Sequence, residues 1–288
     1  MHDQKGNSIL MAGVFDGHGG TAASTTASQL LPSLFSTELA SVDVKATSTH
    51  LEDALISSWD STCQTYRGGC DERGTCVADY DPVEGIIMAH VGSQDLIAGT
   101  TASAAILSAD DEGAEEMIVM NCGDSRTLLF GRPESKSSSS SSVVHFCTRD
   151  HSPSDELEGK RLKAGKDSGL DYSLPQCSLT RWWLSVGDYQ YAVSRSLEGA
   201  FATSKGIVSD ADITKIDLSS MLAERQSGIL LIASDGLFEA MDNEEIGRDV
   251  LSMRESGLSA GDTAKNICGL ALEKGTKDNV SALVVYLE

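Results

Sequence analysis

V-F-D-G-H-G-G, at residues 14–20, is the stretch that decides how this chain folds and where its chemistry lies. It ends an apolar run at residues 9–15, and such a short apolar run predicts a β-strand. The glycines allow the backbone to turn sharply directly after the strand. The turn therefore presents the carboxylate of Asp16, the main-chain carbonyl of Gly17 and the imidazole of His18 to one small volume.

Two distant segments repeat half of this design. An apolar run at residues 229–234 leads into Asp235, and Asp278 directly precedes another apolar run at residues 280–285. Aspartates such as Asp16, Asp235 and Asp278, each at the end of a strand-like run, predict one carboxylate-rich metal site assembled from across the chain. Mg²⁺ and Mn²⁺ are the expected ions, because both prefer oxygen ligands.

Composition and charge restrict the class of protein. The chain has 288 residues, 40% of them hydrophobic, which fits a single globular domain over residues 1–288. No apolar run approaches the ~18 residues of a membrane span, and the N-terminus lacks the pattern of a signal peptide. The formal charge of −21 argues against binding to nucleic acid or anionic membranes. We expect a cytoplasmic or nuclear protein that acts as a monomer.

Seven cysteines are present. Three of them lie in strand-like or helix-like runs and are expected to be buried free thiols: Cys122, Cys147 and Cys268. Three others lie in or beside a Gly/Arg/Asp-rich segment: Cys63, Cys70 and Cys76. Their spacing matches no zinc pattern, so we interpret residues 63–96 as an inserted surface loop, with a disulfide or metal knuckle as the alternative.

Hydrophobic periodicity gives a coarse secondary structure. Amphipathic helices are expected at residues 21–40, 50–66, 154–164, 244–251 and 260–272. Strands are expected at residues 101–107, 117–122, 127–130, 143–147, 190–193, 229–234 and 281–286. N-C-G-D-S at residues 121–125 predicts a hairpin turn, and the serine run at 137–142 a loop. Strands in runs and helices in pairs predict an α+β fold with antiparallel sheets packed on each other and helices outside.

Seven short blocks occur in an order that resembles the metal-dependent Ser/Thr protein phosphatases of type 2C, the PPM family. They are V-F-D-G-H-G-G (14–20), A-G-T-T-A (98–102), N-C-G-D-S-R (121–126), D-H-S-P (150–153), A-V-S-R-S-L (192–197), A-S-D-G-L-F-E (233–239) and K-D-N-V-S-A (277–282). The resemblance covers nearly the whole chain. It implies a four-layer αββα sandwich with a two-metal centre at one end.

The resemblance also implies roles for individual residues. Asp16 resembles the carboxylate that bridges two Mg²⁺ or Mn²⁺ ions, and Gly17 resembles the residue that offers its main-chain carbonyl to one of them. Asp235 and Asp278 resemble ligands of the other ion. His18 resembles a general acid that protonates the leaving seryl or threonyl oxygen, a contribution worth about 10²–10⁴-fold.

Other polar residues of these blocks have two interpretations. Asp124 resembles a ligand of a weaker third metal ion, but a turn aspartate that caps its own backbone is an equal alternative. His151 is expected to anchor a loop through hydrogen bonds rather than to take part in catalysis. Gly99, Thr100 and Thr101 are expected to pack tightly near the site rather than to cradle phosphate.

The function implied is hydrolysis of phosphoserine and phosphothreonine in protein substrates by a metal-bridged hydroxide. The chain departs from the family at two places. The fifteen residues before Asp16 contain neither the arginine nor the glutamate of the family's earlier strand, so we expect that strand to be missing. Glu198-Gly199 also stands where the family has Gly-Asp. These departures motivate the alternative, a catalytically weak or inactive scaffold or regulatory domain.

Overall fold

Two four-stranded antiparallel sheets form the centre of the structure, a computed structural model. It describes residues 8–41, 47–72, 78–80, 87–89, 98–109, 115–131, 142–170, 172–178, 181–186, 189–203, 205–218 and 228–287. The first sheet contains, in spatial order, β1 (Ser8–Val14), β6 (Ala102–Ala109), β7 (Glu115–Cys122) and β13 (Asp212–Asp217). The second contains β15 (Ala282–Leu287), β14 (Gly228–Ala233), β8 (Arg126–Phe130) and β9 (Val144–Cys147).

Three smaller sheets lie beside this pair. The two-stranded ones join β2 (Gly17–His18) to β5 (Gly99–Thr100) and β3 (Ala78–Tyr80) to β4 (Ile87–Ala89). The third contains β10 (Ser173–Ser178), β11 (Arg181–Val186) and β12 (Tyr189–Tyr191). The described helices are α1 (Ala22–Ala40), α2 (Ser48–Glu72), α3 (Glu156–Asp167), α4 (Ala200–Thr203), α5 (Asp235–Ala240), α6 (Asn243–Glu255) and α7 (Ala260–Glu273).

Apolar side chains arrange these elements in four layers. Met117 and Val119 of the first sheet pack with Leu230 and Ile232 of the second, so the two sheets face each other across an apolar core. Helices α1 and α2 bury their apolar sides on the outer face of the first sheet. Helices α6 and α7 do the same on the second sheet. The predicted α+β sandwich with helix pairs outside is therefore confirmed.

Helix α1 continues through Pro32 without a break. Its buried residues recur every four positions, at Ala23, Ala27, Leu31, Phe35 and Leu39. Since this spacing keeps one face turned toward the sheet, burial of that stripe offsets the hydrogen bond that proline removes. No described helix is long and apolar enough to span a bilayer.

The predicted start of the loop at residues 63–96 was wrong. Helix α2 extends to Glu72, and Cys63 and Cys70 are buried in the core that α2 shares with the first sheet. Tyr66 fixes this end of the helix, because its hydroxyl donates to the main-chain oxygen of Ala98 at 2.5 Å. Tertiary burial thus overrides the Gly-rich composition. Cys76 lies outside the described residues.

The turn at residues 121–125 is not a hairpin turn. Strand β7 pairs with β6 and β13, whereas β8 pairs with β14 and β9, so the turn carries the chain from one sheet to the other. Among the other predicted thiols, Cys122 is buried, and Cys147 and Cys268 are half-buried free thiols. A local turn signal shows that the chain reverses but not which strand becomes the partner.

A buried ion network fastens α3 to the chain segment that follows β12. The carboxylate of Glu158 is 2% exposed and accepts hydrogen bonds from Arg161, Arg195 and the hydroxyl of Ser194. Arg195 also pairs with Asp212 of β13 at 3.0 Å. The network therefore ties a helix, a loop and a sheet edge together close to the cleft described next.

Candidate metal centre

A cleft of about 700 Å³ opens at one end of the sandwich. All six site residues expected from the sequence line it: Asp16, Gly17, His18, Asp124, Asp235 and Asp278. Asp16 follows β1 of the first sheet, whereas Asp235 and Asp278 flank strands β14 and β15 of the second. The cleft is thus assembled from both sheets, as the positions of the three aspartates at strand ends predicted.

Strand pairing brings Asp235 and Asp278 together. Strands β14 and β15 are antiparallel neighbours, with Ala233 opposite Ala282, so the end of one strand lies beside the start of the other. The amide of Ser234 donates to the carbonyl oxygen of Ser281 at 3.0 Å and continues this pairing by one step. The two aspartates therefore lie at the same end of the sheet.

The loop carrying Asp278 approaches α5 closely. A β-carbon placed at Gly236 would overlap the main-chain oxygen of Asn279. Glycine at position 236 therefore permits the approach that puts the Asp278 carboxylate beside that of Asp235.

The backbone of Asp16 is held by the strands on the other side of the cleft. Its carbonyl oxygen accepts hydrogen bonds from the amide of Thr101 at 2.9 Å and from the hydroxyl of Thr100 at 3.0 Å. His18 follows within β2, where it pairs with Gly99 of β5. Both Thr100 and Thr101 are buried, so they pack and position the loop, as expected from the sequence.

Crowding of negative charge is the main electrostatic feature of the cleft. Carboxylate oxygens of Asp235, Glu239 and Asp278 all lie within 4.8 Å of one another. Burial, with the charges of Asp235 and Asp278, raises the pKa of Asp16 to about 6. Burial and the charge of Asp235 raise the pKa of Asp124 to about 7, although nearby Arg181 opposes this. Such a cluster favours a bound cation.

The donor atoms fit Mg²⁺ or Mn²⁺. The carboxylates offer only oxygen ligands, the main-chain carbonyl of Gly17 adds another, and the open cleft leaves room for the waters that these ions retain. No cysteine lines this cleft within the described residues, which disfavours a thiolate zinc site there.

Arg181, at the start of β11, places a positive charge among these carboxylates. Its guanidinium donates to Asp235 at 2.5 Å and lies 3.2 Å from Glu239 and 3.7 Å from Asp124. The same guanidinium stacks over the ring of Trp183, 5.8 Å from the centroid. Arg181 therefore neutralises part of the cluster and binds a carboxylate oxygen of Asp235, a candidate metal ligand.

We expect Arg181→Gln to tighten Mn²⁺ binding by about tenfold. A charge-assisted hydrogen bond contributes roughly 1.5–3 kcal/mol, and an ion that binds Asp235 no longer has to displace it in the variant. Isothermal titration of the metal-free proteins measures the change. Arg149→Gln is the matched control, because Arg149 pairs with Asp155 outside the cleft at 2.6 Å. Unchanged or weaker Mn²⁺ binding by Arg181→Gln would contradict competition.

His18 lies at the rim of the carboxylate cluster with its side chain 35% exposed. Burial alone would lower the pKa of His18, but the charge of Glu198 and a hydrogen bond to it raise the pKa above its ordinary value. Asp124 and Asp16 act in the same direction. The imidazole therefore favours its protonated form, which is the form that a general acid needs.

His151 has the anchoring position expected from the sequence. The ring is 1% exposed, Nδ1 accepts from the amide of Gly123 at 3.1 Å, and Nε2 lies 3.1 Å from Asp212. Burial lowers the pKa of His151, and Arg195 adds to the effect. This histidine holds the turn that carries Asp124 and takes no place in the cleft lining.

Three polar residues of the site were missed at the sequence level. Glu239 lies four residues after Asp235, a spacing that puts both on one face of a helix, and this signal was available. Arg181 and Glu198 reach the site only through tertiary packing. No sequence pattern marked Arg181, and Glu198 was noted only as a departure from the family.

Comparison with known proteins identifies a family and several relatives. The family described as Protein phosphatase 2C matches residues 2–280. Human Protein phosphatase 1A is 27% identical over 188 residues, which cover 65% of this chain and 43% of that protein. Rice Probable protein phosphatase 2C 8 is 29% identical over 216 residues, which cover 71% of this chain and 46% of that protein. The chain thus spans less than half the length of these curated relatives.

The fold has a solved counterpart. The crystal structure of serine-threonine phosphatase 2C from Toxoplasma gondii superposes with a TM-score of 0.70. The match covers 97% of this chain and 85% of that one at 18% sequence identity. The two proteins share the architecture of the sandwich.

Proposed function

Because the chain belongs to the protein phosphatase 2C family, we propose that it hydrolyses phosphoserine and phosphothreonine in protein substrates with two Mg²⁺ or Mn²⁺ ions. Members of this family are metal-dependent serine/threonine phosphatases. The observation that carries the proposal is the meeting of Asp16, His18, Asp235 and Asp278, from distant parts of the sequence, in one cleft.

The carboxylates of Asp16, Asp235 and Asp278, with the carbonyl of Gly17, would hold the metal ions. When bound, the two ions lower the pKa of a water molecule and neutralise charge on the phosphoryl oxygens. Asp16 would contribute its carboxylate from the sheet opposite Asp235, because its backbone is held by hydrogen bonds from Thr100 and Thr101. Asp124 would be available to a weaker third ion, since it lines the same cleft and its carboxylate faces the charge of Asp235.

His18 would protonate the leaving oxygen of serine or threonine. An alkoxide departs poorly from phosphorus, so a proton supplied as the bond breaks accelerates the reaction by about 10²–10⁴-fold. The raised pKa of His18 supports this role, because it favours the protonated form that a general acid needs. The formal charge of −21 supports a protein substrate rather than nucleic acid.

Removal of divalent metal tests the proposal. We expect turnover of a phosphothreonine peptide with Mn²⁺, at least about a 100-fold loss of rate with EDTA, and recovery when Mg²⁺ or Mn²⁺ is restored. Equal turnover with and without EDTA would exclude the metal mechanism. Thermal stabilisation by Mn²⁺ with no turnover of phosphopeptides would favour the scaffold or regulatory alternative.

A further inference from the structure

Glu198 is a buried carboxylate that lies against the general-acid candidate. Its side chain is 1% exposed, and its Oε1 lies 2.5 Å from Nε2 of His18. The hydroxyl of Ser196 donates to the same oxygen at 2.6 Å. Burial of a carboxylate is costly unless it is paired and hydrogen-bonded. Among the described residues, His18 and Ser196 are the hydrogen-bonding partners of the Glu198 side chain.

The backbone fixes both members of this pair to one short strand. Leu197 and Thr100 exchange two main-chain hydrogen bonds, of 2.9 and 3.0 Å, so the residue before Glu198 is locked to β5. His18 pairs with Gly99, which precedes Thr100 in the same strand. The separation between the two side chains is therefore set by strand geometry rather than by two independent loops.

The ring of His18 is enclosed on three sides. A β-carbon at Gly99 would overlap both Oε1 of Glu198 and Nε2 of His18, so the pair occupies space that only glycine leaves. Tyr191 approaches the imidazole edge-on, with ring centroids 6.2 Å apart. Because Nε2 is engaged by Glu198, Nδ1 is the nitrogen that remains: it makes no hydrogen bond to any residue in the described ranges.

We propose that Glu198 is a positioning residue for the phosphatase reaction, which holds the imidazole of His18 through Nε2 so that Nδ1 can act on the leaving oxygen. The inference rests on the proposed function. A carboxylate that bonds one imidazole nitrogen fixes the ring and stabilises its cationic form, a role known from hydrolases of unrelated fold.

The proton balance of the step is simple. Water oxygen bonds to phosphorus, the bond from phosphorus to the seryl or threonyl oxygen breaks, and that oxygen takes its electron pair. The same oxygen accepts the Nδ1 proton of His18, and the proton released by water restores the imidazolium. The products are inorganic phosphate and the free hydroxyl side chain. Nε2–H stays bonded to Glu198 throughout.

Substrates with different leaving groups test the proposal. p-Nitrophenolate leaves without protonation, whereas a threonyl oxygen requires it. With saturating Mn²⁺, we expect Glu198→Gln to lower kcat for a phosphothreonine peptide by about 100-fold and to change kcat for p-nitrophenyl phosphate little. KM for the peptide should be nearly unchanged. Glu156→Gln, the same substitution at an exposed position of α3, should leave both rates unchanged.

A double mutant separates positioning from general damage. In a His18→Asn background, adding Glu198→Gln should cost nothing further, because Glu198 acts only through His18. Glu198→Asp, which keeps the charge, should recover part of the peptide activity. Equal losses on both substrates, or an additive loss in the double mutant, would overturn the proposal.

A spectroscopic measurement on the wild-type protein tests the proposal even if the Glu198 variants fail to fold. In Mg²⁺-loaded wild-type protein labelled with ¹⁵N-histidine, His18 should show a protonated, hydrogen-bonded Nε2 with a downfield proton signal. The His18→Asn variant identifies that signal. An unprotonated Nε2 would overturn the proposal without reference to catalysis. Absence of wild-type turnover on both substrates with Mn²⁺ would instead reject the phosphatase function itself.

Discussion

Asp235→Asn is expected to weaken Mn²⁺ binding and to lower kcat/KM for a phosphothreonine peptide by at least about 100-fold each. Loss of a residue that merely supports a metal ligand costs 10–100-fold, so loss of the ligand's own charge should cost no less. Asn has the same shape as Asp but offers a neutral oxygen to a cation. Asp235 is also the closest contact of Arg181, at 2.5 Å, so the substitution disturbs the charge balance of the whole cluster.

The decisive measurement pairs calorimetric Mn²⁺ titration with steady-state kinetics on the same preparations. Asp53→Asn is the matched control, because Asp53 is exposed on α2 and lies outside the cleft lining. We expect its Mn²⁺ affinity and kcat/KM to equal those of the wild type. An Asp235→Asn protein that binds Mn²⁺ and turns over peptide like this control would remove Asp235 from the metal site.

Glu158→Gln is expected to give the largest loss of stability, about 3 kcal/mol in the free energy of unfolding. Removing one partner of a buried pair leaves the other charges uncompensated, which costs roughly 3–5 kcal/mol. Here the substitution leaves Arg161 and Arg195 without their shared carboxylate. Urea unfolding at neutral pH measures the loss.

The same carboxylate predicts a pH dependence. Although burial raises the pKa of Glu158, hydrogen bonds from Arg195 and Ser194 and the charge of Arg161 bring it down to about 2 from 4.5. The folded-state pKa is therefore lower than the unfolded one, so the contribution is full above pH 4.5 and is lost as pH falls toward 2. Its size is on the order of 3 kcal/mol. The Glu158→Gln variant should lack this component of acid sensitivity.

A neighbouring residue on α3 provides the comparison for this prediction. Glu156 forms an exposed pair with Lys160, with side-chain exposures of 79% and 67%. Exposed pairs contribute about 0.2–1 kcal/mol, so Glu156→Gln should unfold almost like the wild type. If the two glutamine variants lose similar stability, the buried network does not have the importance assigned to it.

Strand ends were the part of the site that the sequence revealed. Apolar runs marked the strands before Asp16 and Asp235 and after Asp278. In antiparallel neighbours, the end of one strand lies beside the start of the next, so these residues meet at one end of the sheets. The motif order then indicated the family, which the match over residues 2–280 confirms. These inferences succeeded because each depends on a local pattern and one general rule of sheet geometry.

Features that depend on tertiary contacts could not be predicted from the sequence. Composition suggested a loop from residue 63, but burial of Cys70 and the hydrogen bond from Tyr66 to Ala98 keep α2 helical to Glu72. Arg181 reaches Asp235 only because tertiary packing places β11 beside the cleft. Glu198 stood out only as a departure from the family, while its partner was set by the pairing of two short strands.

The apolar side chains between the two sheets set the width of the cleft. Asp16 follows a strand of one sheet and Asp235 follows a strand of the other. Side chains between the sheets, such as Met117 and Leu230, determine the distance between the two sheets. A substitution that changes side-chain volume in this layer would therefore change the distance between the carboxylates on opposite sides of the cleft. We therefore expect a change of volume in this core to alter how well the carboxylates fit a metal ion.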